Sequence, residues 1–260
     1  MRPWVLADVN YGQVKHRPFE VAVLPLGATE PHNLHLPYGT DTLEGEAIAE
    51  RACAAAHQQG ARVVMLPAIP YGTETNLQKF PLAMNLLPST LTLVLRDLIQ
   101  SLANSGIRKL VLVNSHGGND LKPMLREFYG STPVHIFLCE WYRALTADQR
   151  AIFSAADDHA GEMETSVILA LAPDLVAHNP ETGRLTADDG QVARSRFAAV
   201  NDGWVTITRP WHLLTTNSGS GNPHQATADK GRQLLQVAVQ RLAAFLVELA
   251  AATIDETFPY

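Results

Sequence analysis

Val21-Ala-Val-Leu-Pro-Leu-Gly-Ala-Thr-Glu-Pro-His-Asn-Leu-His-Leu-Pro-Tyr-Gly-Thr-Asp41 is the stretch on which the reading of this chain turns. Its first six residues are apolar and partly β-branched, as a strand covered on both faces requires. The loop that follows gathers Glu30, His32, His35 and Asp41, nitrogen and oxygen donors of the kind that hold divalent ions. Glu30 and His32 are two apart, so in extended backbone their side chains leave on the same side. Asp41 comes nine residues after His32, beyond Pro37-Tyr-Gly-Thr40, a turn that folds the chain back. Thr40 and Asp41 are also of the residue types that cap a helix. His35 reads equally as pocket lining or as a structural hydrogen bonder. Donors gathered at a strand end are how hydrolytic metal sites are commonly built.

Outward from this stretch, short apolar runs alternate with amphipathic ones. Further strands are expected at 62–67, 109–113 and 134–139, and helices at 42–59, 89–104, 120–129, 162–171 and 225–252. The 89–104 helix is the clearest. Leu91, Val94, Leu95, Leu98 and Leu102 share one face, Ser89 is placed to cap it and Gly106 to end it. Continuous apolar strands between helices predict a mainly parallel sheet in an α/β fold, with residues 1–260 forming a single domain. Residues 177–221 break the rhythm and are expected as irregular loops or a small hairpin. In parallel sheets ligands bind beyond the carboxyl ends of the strands. Glu30 and His32 follow the first strand, the segment 71–76 the second and His116 the third, so these groups should converge.

His116 lies in Asn114-Ser-His-Gly-Gly-Asn119, whose glycines let backbone approach a ligand closely. The glycine pattern matches no phosphate loop. His159-Ala-Gly-Glu-Met-Glu164 enters a helix, with Glu164 five residues after His159, so both can face one site. Glu162 and Glu164 also suit the positive end of a helix dipole. No Gly-x-Ser-x-Gly elbow is present, and Ser115 adjoins His116 too closely to pair with it as nucleophile and base. Cys53 and Cys139 sit in apolar segments and read as buried small hydrophobes.

Composition narrows the class. A formal net charge of -6 with no Lys/Arg cluster gives no footprint for nucleic acid. No apolar run approaches the ~18 residues of a membrane span, and no basic leader precedes an apolar core. A cytoplasmic enzyme acting on a small molecule is the expectation.

Taken in order, Leu24-Pro-Leu-Gly-Ala-Thr-Glu-Pro-His32 with Gly39-Thr-Asp41, Asn114-Ser-His-Gly-Gly-Asn119 and His159-Ala-Gly-Glu-Met-Glu-Thr-Ser166 resemble the creatininase family. Gly219-Ser-Gly-Asn-Pro223 and Ala226-Thr-Ala-Asp-Lys-Gly231 are similar to its C-terminal signature, so the likeness runs from about Val21 to Gly231. The resemblance implies a three-layer α/β/α sandwich holding two divalent ions, and often a hexamer. By the same resemblance Glu30, His32 and His116 are metal ligands, Asp41 bridges the ions, His159 stands at the substrate and Glu164 nearby.

Two departures matter. In creatininase proper the metal-ligating histidine is followed by Tyr and then by a Glu that completes the second site. Here those positions are Gly117 and Gly118, so Glu164 becomes the candidate for the second ion, or else a base that orients water. The Trp-Asp pair that holds creatinine is replaced by Ala155 and Ala156. Both departures point away from creatinine as substrate.

The expected chemistry is hydrolysis of a C–N amide bond, cyclic or formyl, by a hydroxide bridging two ions of zinc, manganese or iron. His159 and Glu164 are the expected catalytic groups, and His35, Tyr71, Gly117 and Gly118 the expected substrate contacts. The alternatives are hydrolytic C–C ring opening of a cyclic ketone by the same centre, and a metal- or sugar-binding module without turnover.

Overall fold

Side-chain parity along the strands sorts the core into two sheets of packing. The computed structural model describes residues 2–154 and 159–260. Its strands β1 (Val21–Leu26), β2 (Val63–Met65), β3 (Lys109–Asn114) and β4 (His135–Glu140) form one sheet in the order β2-β1-β3-β4. Every pairing is parallel, with Val21 opposite Val63 on one side and Lys109 on the other. Val21, Val23, Val63, Met65, Val111 and Val113 face one way. They are covered by α1 (Thr40–Gln58), α5 (Glu162–Leu171) and α6 (Ala228–Ala251). Ala22, Leu24, Leu26, Val64, Leu110 and Leu112 face the other way, against α2 (Pro88–Asn104) and α3 (Lys122–Phe128). The short α4 (Thr146–Ile152) packs beside α6. Alternation with both faces apolar is why the strands read as unbroken apolar runs. The result is the parallel sheet that the sequence pattern predicts, set in the α/β/α sandwich that the family resemblance implies.

Pro25 lies inside β1, a central strand, where a missing N–H normally costs a ladder bond. Odd residues of β1 turn their backbone toward β2, as the bonds from Leu66 N–H to Val23 O and from Ile69 N–H to Pro25 O show. β2 ends opposite Val23, so the absent donor of Pro25 falls beyond its last partner.

Helix starts differ from the sequence expectation. α1 begins at Thr40 with Gly39 as N-cap and no side-chain cap, so Asp41 is a first-turn residue rather than a cap. α2 starts at Pro88 after Leu87, and Ser89 caps nothing, because Pro88 already fixes the first helical φ. α6 is capped by Thr227, whose side chain accepts from Lys230 N–H. By length and composition α6 passes for a membrane span, but Leu234, Leu235, Leu242, Leu246 and Leu249 lie buried in the core. Residues 177–221 hold short helices at Ala198–Asn201 and Trp211–Leu214, an antiparallel bridge between His178 and Leu185, and another from Ser220 to His159. Both cysteines are free; Cys53 is buried, whereas Cys139 is half-buried because β4 is the sheet edge.

Candidate metal centre

The strand order reverses between β1 and β3, and a crevice opens beyond their carboxyl ends at such a point. β1 delivers Glu30 and His32 there, β3 delivers His116, and the first turn of α1 brings Asp41. Each of these side chains is almost wholly buried.

Asp41 lies between two imidazoles. Its Oδ1 is 3.0 Å from His32 Nε2 and its Oδ2 is 3.0 Å from His116 Nδ1. Glu30 Oε1 is also 3.0 Å from His116 Nδ1. Glu164 Oε2 stands 3.9 Å from His32 Nε2. Two donor sets therefore share Asp41: Glu30 and His116 on one side, His32 and Glu164 on the other. The second set lies within one ligand sphere, as do Glu30, His32 and His159, and likewise Glu30, Glu74 and His116.

A backbone carbonyl pins each imidazole at its outer nitrogen. His32 Nδ1 faces Glu30 O at 3.1 Å, His116 Nε2 faces Thr73 O at 3.2 Å and His159 Nε2 faces Pro31 O at 2.8 Å. A carbonyl only accepts, so each outer nitrogen carries a hydrogen, and the inner one is the nitrogen left for a cation once any second proton is displaced. That is the tautomer a metal ligand needs. Glu30 Oε2 and Asp41 Oδ2 are buried yet accept no aligned hydrogen bond, although Asp41 Oδ2 lies within 3.0 Å of His116 Nδ1. Buried carboxylate oxygens without donors, beside inward imidazole nitrogens, fit divalent cations.

Without a cation these groups hold one another's charge. Burial raises Glu30 well above the carboxylate range. Burial would raise Asp41 too, but His32 and His116 outweigh it and hold its carboxyl well below that range. Burial opposes charge on His32, yet Asp41, Glu164 and Glu30 prevail and lift it to about 10. His116 is likewise pushed well above its ordinary value by Glu30 and Asp41 despite burial. Burial and the neighbouring His32 lower His159 to about 3, so its ring is neutral.

His159 is held in place by the C-terminal motif. Its backbone N–H donates to Ser220 O and its carbonyl accepts from Ser220 N–H. Ser218 Oγ donates to Pro31 O and accepts from Asn33 N–H, bracing the 30–33 loop. Trp211 meets the His159 ring edge-on at 5.0 Å. Ala160 adopts a left-handed φ of 53° and donates its N–H to Glu164 Oε2, which fixes that carboxylate. Glu162 turns away from the centre. It accepts from Ser154 and pairs with Lys230, which locks α5 to α6.

A cavity of about 360 Å³ opens on the centre. It is lined by Glu30, Asp41, His116, His159 and Glu164 together with Gly117, Gly118, Trp141 and Trp211. Arg143 and Arg209 are also in the wall, the latter with its guanidinium 5.0 Å over the Trp211 ring. Two expected substrate contacts are not there. His35 is buried, its Nε2 bonded to Thr165 Oγ1 at 2.8 Å, so of its two readings the structural hydrogen bonder is the one the fold displays. Tyr71 is 46% exposed and lies outside the cavity. Ala155 and Ala156 fall outside the described residues. Ser115 accepts from Trp141 Nε1 at 2.9 Å. Sequence reasoning missed Glu44 and Trp211 in the wall and Glu74 beside His116. Glu44 follows Asp41 by one helical turn, a spacing that pointed to it; Trp211 lies in the irregular segment, where no period operates.

Gly118 fits only as glycine. A Cβ there would stand 2.3 Å from His116 Nε2 and 2.5 Å from Thr73 O. Gly118→Ala should displace the His116 ring and lower stability by roughly 1–3 kcal/mol, as overpacking does. Denaturant melts check this, and an unchanged midpoint would show that the ring has room to yield.

A family profile for creatininase, creatinine amidohydrolase, matches residues 7–246. The mycofactocin precursor peptide peptidase of Mycobacterium tuberculosis is 31% identical over 228 residues, spanning 84% of this chain and 80% of that protein. The creatinine amidohydrolase of Pseudomonas putida is 33% identical over 176 residues, 60% of this chain and 66% of that one. A provisionally named creatinine amidohydrolase from Bacteroides fragilis superposes with a TM-score of 0.88 at 34% identity, covering 98% of this chain and 100% of that one. Matched over nearly its whole length, the chain is a member of the creatininase family.

Proposed function

We propose that the protein hydrolyses a C–N amide bond, cyclic or formyl, in a small polar molecule at a centre of two divalent ions, zinc, manganese or iron. The observation that carries this is Asp41, whose two oxygens face His32 on one side and His116 on the other at 3.0 Å each. Glu30, Asp41 and His116 would hold one ion; His32, Asp41 and Glu164 the other. Divalent ions held there supply Lewis acidity and bring the ionisation of water near neutral pH.

The chain supplies the rest. His159 is neutral and turns Nδ1 toward Glu30 Oε1, 3.7 Å away, with Nε2–H committed to Pro31 O. In this tautomer it takes a proton at Nδ1 from the attacking water and returns it to the leaving nitrogen. It does not donate to an oxyanion first, because the inner nitrogen carries no hydrogen. Trp141 and Trp211 wall the cavity and exclude bulk water, which strengthens each charge interaction inside. Gly117 leaves the floor beside His116 open, with nothing near the place of a Cβ.

Turnover on a panel of formamides, lactams, short peptides and cyclic ketones tests the reading. Release of amine or carboxylate from an amide supports it. Turnover of cyclic ketones alone would transfer the same donors to C–C ring opening, and no turnover with ions bound would leave a binding module. Creatinine itself should be a poor substrate.

Ion binding should also depend on pH with a definite sign. His32 and His116 hold protons at neutral pH in the metal-free protein, His32 up to about 10, and a cation must displace them. Affinity should therefore rise with pH, by up to about tenfold per unit for each ring deprotonated. Competition against a coloured chelator across the neutral range measures it. A flat profile would mean that the imidazoles are not ligands.

A further inference from the structure

Glu74 is fully buried, in the loop after β2, and neither carboxylate oxygen accepts an aligned hydrogen bond. Its Oε1 is 2.9 Å from His116 Nε2, the nitrogen opposite the one that faces Glu30 and Asp41. Asn85 accepts the Glu74 backbone N–H, and Thr73 O stands 3.2 Å from the same His116 nitrogen. His32 and His159 are held at their outer nitrogens by a backbone carbonyl. Only His116, among these three, has a carboxylate there as well. Glu74 also lies within one ligand sphere of Glu30 and His116, so its carboxyl is part of the centre's surroundings and its partner there is the His116 ring.

We propose that Glu74 is a positioning residue for the His116 ion: its carboxylate, with Thr73 O, keeps the hydrogen on Nε2 and makes Nδ1 a stronger donor. A negative charge behind an imidazole raises the basicity of its far nitrogen and fixes the ring plane. The inference rests on the metal-hydrolase reading and goes beyond it by making the two ions unequal. The ion at Glu30, Asp41 and His116 is the tighter of the pair, and the ion at His32, Asp41 and Glu164 the looser.

Glu74→Gln keeps the shape and removes the charge. Stepwise zinc titration by calorimetry, with metal-free protein, should show two affinities in the wild type. In Glu74→Gln the tighter should fall by about 10–100-fold while the other stays within about twofold, the scale on which partners behind a ligand act. Circular dichroism checks that the variant folds. Nitrogen-15 spectra of histidine-labelled, zinc-loaded wild-type protein give a readout that needs no variant: His116 should be bound through Nδ1 with a protected Nε2–H. Two unchanged affinities would overturn the assignment. So would His116 bound through Nε2, or a Glu74→Gln protein that takes one ion at any concentration, which would make Glu74 a ligand. Wild-type protein that binds no divalent ion would remove the metal reading itself and this assignment with it, an outcome distinct from the others.

Discussion

Asp41→Ala should strip both ions from the protein and lower kcat/KM by more than about 10³-fold, beyond the loss of a single charge-stabilising group. Its two oxygens serve different imidazoles, so neither donor set survives without it. His32→Ala should instead remove mainly one ion, because His116 keeps Glu30 and Asp41. Metal analysis of the dialysed proteins separates the two cases. Full metal content in Asp41→Ala would sink the bridging assignment. Some loss of fold stability is expected in the metal-free variant as well, since two protonated imidazoles would then share fewer carboxylates. Activity is therefore compared after adding back excess ion.

His159→Asn should lower kcat by roughly 10²–10⁴-fold with metal content intact, as the loss of a general acid–base group does. Asparagine can keep a hydrogen bond to Pro31 O but cannot shuttle a proton. The geometry makes this a sharp test, because His159 Nδ1 also falls within one ligand sphere of Glu30 and His32. A variant that loses an ion would identify a ligand, and near-normal turnover would leave a structural residue. Serine at 220 supplies a control: Ser220 holds the His159 backbone through its own main chain, so Ser220→Ala should matter little.

The sheet was legible because β1 and β3 are covered on both faces and so carry unbroken apolar runs. Glu30, His32 and His116 followed from a rule about strand ends, whereas Asp41, in the first turn of α1, needed the turn at 37–40 and the family resemblance. The caps were misread because Gly39 and Leu87 end their loops by backbone geometry alone, which leaves no mark in side-chain type. His35 stood open between pocket lining and structural bonding, because residue type alone cannot say whether a loop imidazole turns to the cavity or, as here, to Thr165. Glu74 lay in a segment that the strand-end rule flagged, yet only the folded loop shows which of its residues turns inward. The C-terminal motif reads as a signature in sequence. In the fold it is a clasp: Gly231 brings α6 against the carbonyl of Ser166, where a Cβ would stand 1.9 Å away.

The donors are spread unequally along the chain, and that has a consequence for biosynthesis. A ribosome has delivered Glu30, Asp41, Glu74 and His116 before β4 begins, whereas Glu164 arrives after β4 and the Ser220 brace later still. A nascent chain halted after β4 thus owns one complete donor set and lacks the other. Premature termination or C-terminal proteolysis costs first α6, the cover of one face of the sheet, and only then the Ser220 clasp on His159 and the Glu164 donor.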